Sequence, residues 1–193
     1  MGDERARLFA ALELPPEVRR ALTTWGSEVA SGIAGLRPLP ADHLHVTLCF
    51  MGWQSVDEIQ AVGQACRKLG PGGPPALSLD QGLWLPPRRP RVLAVRLSEG
   101  GGDGEGVGRL SAIQAELSGL LADGGWYAPE RRPYLPHVTV ARAGRRERVA
   151  VSPLPAPPTL SFTATRLTLF RSRLSPGGAR YEALSSVSLV STA

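Results

Sequence analysis

Two short segments, His45-Val46-Thr47-Leu48 and His137-Val138-Thr139-Val140, constrain this chain more than any other feature. Each reads as a β-strand, in which successive side chains point to opposite faces. His45 and Thr47 therefore share one face while Val46 and Leu48 turn into a core. His137 and Thr139 repeat the arrangement over Val138 and Val140. The chain holds three histidines and nine threonines in 193 residues, so two matching pairs are an uncommon coincidence. Each strand needs one covered face and one open face.

The flanking sequence supplies the rest of a mixed fold. A buried strand over Arg7 to Leu14 ends at Pro15-Pro16, and a helix over Pro16 to Ser31 follows, with Val18, Leu22, Trp25 and Val29 on one apolar face. Gly32 to Asp42 is turn-rich and leads into the first motif strand, Leu44 to Met51. A second helix is expected over Val56 to Leu69, capped by Ser55 with Glu58 completing a capping box. Ala76 to Leu85 and Val92 to Leu97 form a hairpin, and Ser98 to Gly108, with six glycines, a flexible loop. A helix over Val107 to Leu121 carries Leu110, Ile113, Leu117 and Leu120/Leu121 on one stripe. The prolines at 133 and 136 hold their segment extended and deliver the second motif strand, His137 to Ala143. Gly144 to Pro158 reads as loop. Two last strands, Arg166 to Arg171 and Tyr181 to Val190, are joined by a Pro176-Gly177-Gly178 turn. The expected class is α+β: a single bilobal domain over residues 1–193, its antiparallel sheets facing across a central cleft, helices on the outer sides. Strand, helix, motif strand occurs in both halves, which hints at a duplicated unit.

Composition narrows the setting. Gly and Pro total 40 residues, which fits many tight turns. No run of 18 apolar residues exists to span a membrane, and the charged start, Met1 to Arg5, is unlike a signal peptide. Cys49 and Cys66 are too few for a disulfide framework and are expected to be reduced and buried. A cytoplasmic protein is the expectation. The net charge is +5, and 21 of the 22 basic residues are arginine. Clusters at Arg88-Arg89-Pro90-Arg91, Arg131-Arg132, Arg145-Arg146 with Arg148, and Arg171 with Arg173 suit either a solvated surface or a nucleic-acid partner.

If the two motif strands face each other, two imidazoles and two hydroxyls flank one bound group. One His neutral and one protonated can take a proton from water and give one to a leaving oxygen. The threonines can donate to non-bridging oxygens. A phosphodiester uses all four groups, because in-line displacement needs base and acid on opposite sides of phosphorus. Neither motif has an adjacent carboxylate, no glycine-rich nucleotide loop follows a strand, and no serine sits in a nucleophile elbow. The expected mechanism uses no metal and no cofactor.

The chain resembles the RNA 2′,3′-cyclic phosphodiesterases, once called 2′-5′ RNA ligases, of the two-histidine phosphoesterase superfamily. The resemblance runs through Arg7-Leu8-Phe9-Ala10-Ala11-Leu12, both His-x-Thr motifs with Phe50-Met51-Gly52 after the first, and Pro87 to Leu93. It continues in Arg132-Pro133-Tyr134, Pro136 to Arg142, Leu169-Phe170-Arg171-Ser172 and Pro176-Gly177-Gly178 before Tyr181. It implies hydrolysis of a cyclic phosphate at an RNA end to a 2′-phosphate, with His45 as proton donor to O3′, His137 as proton acceptor for water, and Thr47 and Thr139 holding phosphoryl oxygens. The motifs are locally equivalent, so sequence alone does not assign acid and base. The resemblance also implies that the reverse step, with a 5′-hydroxyl in place of water, makes a 2′-5′ linkage. RNA ends are the expected partner and a monomer the expected state.

Two departures concern charge: Cys49 and Leu135 stand where relatives commonly carry a basic residue. Tyr134 reads equally as a base-stacking ring or as core. Arg142 matches the pattern, yet strict alternation puts it on the face opposite His137. Two other readings are open: an RNA-binding module without catalysis, and a zinc site of His43, His45 and His137, with Cys49 on the same strand face.

Overall fold

The protein, seen in a computed structural model, is described over residues 4–70, 72–99, 108–144, 147–175 and 178–189. Most of the glycine-rich loop, Arg145-Arg146, and Pro176-Gly177 of the final turn lie outside the described residues. The strands are β1 (Arg5–Glu13), β2 (Leu36–Pro38), β3 (His45–Ser55), β4 (Ala76–Leu85), β5 (Val92–Glu99), β6 (His137–Ala143), β7 (Ser161–Thr163), β8 (Arg166–Ser175) and β9 (Gly178–Ser188). The helices are α1 (Pro16–Ser31), α2 (Ile59–Arg67) and α3 (Arg109–Asp123). The fold is α+β and two-lobed, as its sequence leads one to expect.

The expected elements are present, with additions where local sequence is silent. Strands β2 and β7 are three residues each and carry no periodicity to read. The second helix opens with a 3₁₀ turn, Val56–Glu58, whose N-cap Ser55 accepts from the Asp57 N–H. Strand β3 runs four residues past Met51, Gly52 to Ser55 pairing with Leu8 to Arg5 of β1, and Gly52 adopts φ 71°, a conformation glycine takes at little cost. Helix α3 starts two residues later than expected, where the Glu99 carboxylate accepts from the Leu110 and Ser111 N–H groups at 2.6 and 3.2 Å.

All strands pair antiparallel in one strongly curled half-barrel of order β7-β4-β5-β6-β3-β1-β8-β9, with β2 added to β6. The two lobes, β1-β3-β8-β9 and β4-β5-β6-β7-β2, are thus halves of a single sheet. Their hydrogen-bonded junction is one residue pair, Val46 opposite Val138, at the centre of the two motifs. The repeated unit is real in the backbone: β1-α1-β3 and β5-α3-β6 each pair a motif strand with the strand before its helix.

The helices cross over between these units. Helix α1 leaves the first unit and packs against β6, while α3 leaves the second and packs against β3. The stripes Val18, Leu22, Trp25 and Val29, and Leu110, Ile113, Leu117 and Leu121, are buried. Under them lie Val46, Leu48, Val138 and Val140, none more than 3% exposed. The contact is closest at Gly26, where an added Cβ would stand 3.0 Å from the Val140 Cβ.

This close approach predicts opposite outcomes for two helical glycines. Gly119→Ala on the exposed side of α3, with open space around it, should stabilise by about 0.5–1 kcal/mol through helix propensity. Gly26→Ala should instead destabilise by about 1 kcal/mol or more, because overpacking against a β-branched side chain outweighs that gain. Urea denaturation midpoints of the two variants check the signs.

Candidate active site

Register at the junction brings the four motif side chains together. With Val46 opposite Val138 on antiparallel strands, His45 falls across from Thr139, and Thr47 across from His137. All four sit on the face that the helices leave uncovered, and each is partly exposed. A pseudo-twofold axis through the Val46–Val138 pair exchanges the motifs.

Alternation then breaks at equivalent places in both strands. Ala11 pairs with Thr47 and Ala10 with Cys49, which leaves Leu48 as an extra residue. Ala94 pairs with Thr139 and Leu93 with Ala141, which leaves Val140 extra in the same motif position. These β-bulges put two consecutive residues into the core, Leu48-Cys49 and Val140-Ala141, all at most 3% exposed. The following residue therefore returns to the motif face. Arg142, which strict alternation would send away, lines the cleft; Phe50 does so in the first strand.

The same bulge corrects the reading of Cys49. Its side chain is in the core, not beside His45, and burial pushes the thiol up to about 12. It is not placed to join a zinc site, and no cluster of three or more His, Cys, Asp or Glu among the described residues is arranged to hold a metal ion. His43 instead packs its ring against Tyr181 at 4.6 Å between centroids. The neutrality of Cys49 removes no charge from the cleft, whereas Leu135 does line it.

The cleft has a volume of about 1100 Å³. Thr47, His137, Thr139 and Arg142 line it from the motif strands, while His45 is not among its lining residues; Arg91, whose guanidinium donates to the Glu147 and Gly144 carbonyl oxygens at 2.9 Å, and Arg132 line it as well. Of the arginine clusters, these are the members that face the site. Arg171 and Arg173 are tied up with Glu4 and Glu182 at 3.1 and 2.8 Å. Tyr134 is half-buried and lines the cleft. Its hydroxyl donates to the Thr47 carbonyl oxygen at 3.0 Å, which ties the approach to the second motif onto the first, and burial raises its pKa.

The two histidines differ in surroundings. The His137 Nδ1 lies 2.8 Å from the Leu135 carbonyl oxygen. A carbonyl only accepts, so Nδ1 carries the hydrogen, and in the neutral ring Nε2 keeps its lone pair. His45 is recessed among Phe9, Phe170 and Tyr181, with ring centroids at 4.9, 6.3 and 5.4 Å. This apolar collar lowers its pKa to about 4 by desolvation, with smaller contributions from the charges of Arg142, His43 and His137; a backbone hydrogen bond at His43 opposes them. Sequence reading gave these rings no place in the site. Phe9, Phe170 and Tyr181 come from three strands, and only the sheet brings them to His45.

The recessed neutral ring makes stability depend on pH. Between about 4 and the usual 6.5 the unfolded chain binds the His45 proton and the folded one does not, so stability falls as pH drops through that window. The loss is at most about 3 kcal/mol. Thermal melts from pH 7 to pH 4 should show this decline, and His45→Phe, which keeps the ring packing without the titration, should flatten it.

The chain is similar to known proteins over nearly all of its length. The family described as LigT like Phosphoesterase matches residues 12–94 and 103–181. The RNA 2′,3′-cyclic phosphodiesterase of Escherichia coli K12 is 30% identical over 181 residues, 94% of this chain and 95% of that protein. The protein of the same name from Thermus thermophilus is 31% identical over 190 residues, 95% of this chain and 90% of its own. A crystal structure of E. coli LigT complexed with 3′-AMP superposes with a TM-score of 0.75 at 32% identity, covering 96% of this chain and 99% of that one. Two bulged His-x-Thr strands joined at one valine pair are what this chain builds around its cleft, and by family match and identity it belongs to the LigT-like phosphoesterases.

Proposed function

We propose that this protein hydrolyses 2′,3′-cyclic phosphate ends of RNA to 2′-phosphomonoesters. It does so as one bilobal domain and a monomer, with His45 and His137 as acid and base. The observation that carries the reading is the pseudo-twofold placement of two His and two Thr about the Val46–Val138 pair. The names of the relatives supply the substrate class.

Each group then has a task. The Nε2 of His137, freed by the Nδ1 hydrogen bond, accepts a proton as water attacks phosphorus. The P–O3′ bond breaks, and O3′ takes a proton from His45. Thr47 and Thr139 donate to the non-bridging oxygens, and Arg142 balances the charge that builds on them. The product keeps a 2′-phosphate and gains a 3′-hydroxyl. With an RNA 5′-hydroxyl in place of water, the same displacement of O3′ joins ends through a 2′-5′ bond.

A donor with a pKa near 4 is neutral in the free protein near pH 7, and the substrate changes this. A phosphodiester monoanion about 4 Å away, at an effective dielectric constant of about 20, favours the imidazolium by about 4 kcal/mol, close to a thousandfold in protonation. It also offsets the Arg142 charge that disfavours the imidazolium. Substrate binding thereby loads the proton on His45 that the leaving oxygen consumes. Ring titrations followed by NMR should find His45 near 4 in the free protein and shifted well upward with a nucleoside 2′-phosphate bound.

His45→Ala and His137→Ala should each lower hydrolysis of an oligonucleotide 2′,3′-cyclic phosphate by about 100-fold or more. The wild-type product should be the 2′-phosphate. Full activity in either variant ends the paired-histidine mechanism, and a 3′-phosphate product reverses the leaving group. Tight RNA binding with no turnover in the wild type would instead establish a catalytically silent binding module.

A further inference from the structure

Beyond the cleft, β3 carries a second set of exposed groups on the same face as the histidines. Its second irregularity lies between Leu8, opposite Gly52, and Phe9, opposite Phe50, and Met51 is the extra residue. Met51 is buried, and Gly52 supplies the φ of 71° at this kink. Phe9 touches the His45 ring, so it marks the motif face. Two residues along β1 from Phe9, Arg7 is on that face too, and Trp53 lies directly opposite it.

The result is a strip of Phe50, Arg7 and Trp53 continuous with the cleft wall. Phe50 and Trp53 are 45% and 51% exposed, unlike most large apolar side chains of this protein. The Arg7 guanidinium sits 4.6 Å from the centre of the Phe50 ring, and no ion pair holds it among the described residues. Exposed aromatic faces next to a cation fit unpaired bases and their phosphates. Trp53 is six residues along β3 from Thr47, roughly 15–20 Å at strand rise. One nucleotide whose phosphate is held at Thr47 does not extend that far.

We infer that Arg7, Phe50 and Trp53 form a binding strip for the unpaired nucleotides immediately preceding the cyclic end of an RNA strand. This rests on the reading of the cleft given above. It makes the substrate a single-stranded oligonucleotide end rather than a small cyclic nucleotide, with stacking on Phe50 and Trp53 and a phosphate contact at Arg7.

The test measures binding and turnover separately on the full chain. A labelled five-nucleotide RNA with a 2′,3′-cyclic phosphate is titrated by anisotropy against double His45→Ala/His137→Ala protein, so that it stays intact. On that background Trp53→Ala should weaken binding about tenfold, and Arg7→Gln should also reduce the salt slope by about 0.7. In the active protein the same two changes should leave kcat/KM for a nucleoside 2′,3′-cyclic monophosphate unchanged. Unaltered oligonucleotide binding in both variants overturns the strip, as does an equal loss on both substrates, or wild-type binding no tighter for the five-nucleotide RNA than for a one-nucleotide ligand. If the variants weaken RNA binding but the wild type hydrolyses neither substrate, the strip stands and the hydrolytic reading of the cleft fails.

Discussion

The pairing of Val46 with Val138 is the contact on which the site depends. It is the sole hydrogen-bonded register point between the two motif strands, and it closes two lobes into one sheet. Antiparallel geometry at that point decides that each imidazole faces the other motif's threonine. A shift by one residue would turn one His-x-Thr pair into the core and its valines outward. The helices guard against this. Helix α1 presses on Val140 from the first unit and α3 covers β3 from the second, so burial on the far face holds the register on the near one.

The bulges convert this frame into a cleft with charge. Because Leu48 and Val140 are each the extra residue, both motifs read His-x-Thr followed by two buried residues and then a cleft residue. The pattern is symmetric in backbone and asymmetric in chemistry: Phe50 in one half and Arg142 in the other. That asymmetry suits a ligand with an anionic group and a ring. Tyr134 adds a cross-tie, since its hydroxyl engages the backbone of Thr47 while its own segment leads into His137.

Electrostatics separates two histidines that the local sequence makes alike. His137 stands on the cleft wall with Nδ1 satisfied by a carbonyl. His45 is sunk among aromatic rings that disfavour its charged form. The low pKa leaves His45 neutral near pH 7, and in the proposed reaction the anionic substrate is what favours its charged form. A solvent-exposed histidine titrates at about pH 6.5, and its response to phosphate is weaker because water screens the charge.

Local patterning is enough to set the α+β class, the three helices and their buried stripes, the motif strands, and the shared face of His45 with Thr47 and of His137 with Thr139. These features follow from periodicity and turn residues, which act over a few neighbours. Strand pairing is a long-range matter, and it brings with it the bulges, the inward turn of Cys49, the cleft position of Arg142, the strut role of Tyr134 and the aromatic collar of His45. A bulge is a mismatch between two strands distant in sequence, so no single segment encodes it legibly. The two motifs are near copies in sequence; their different partners across the sheet are what make them different in chemistry.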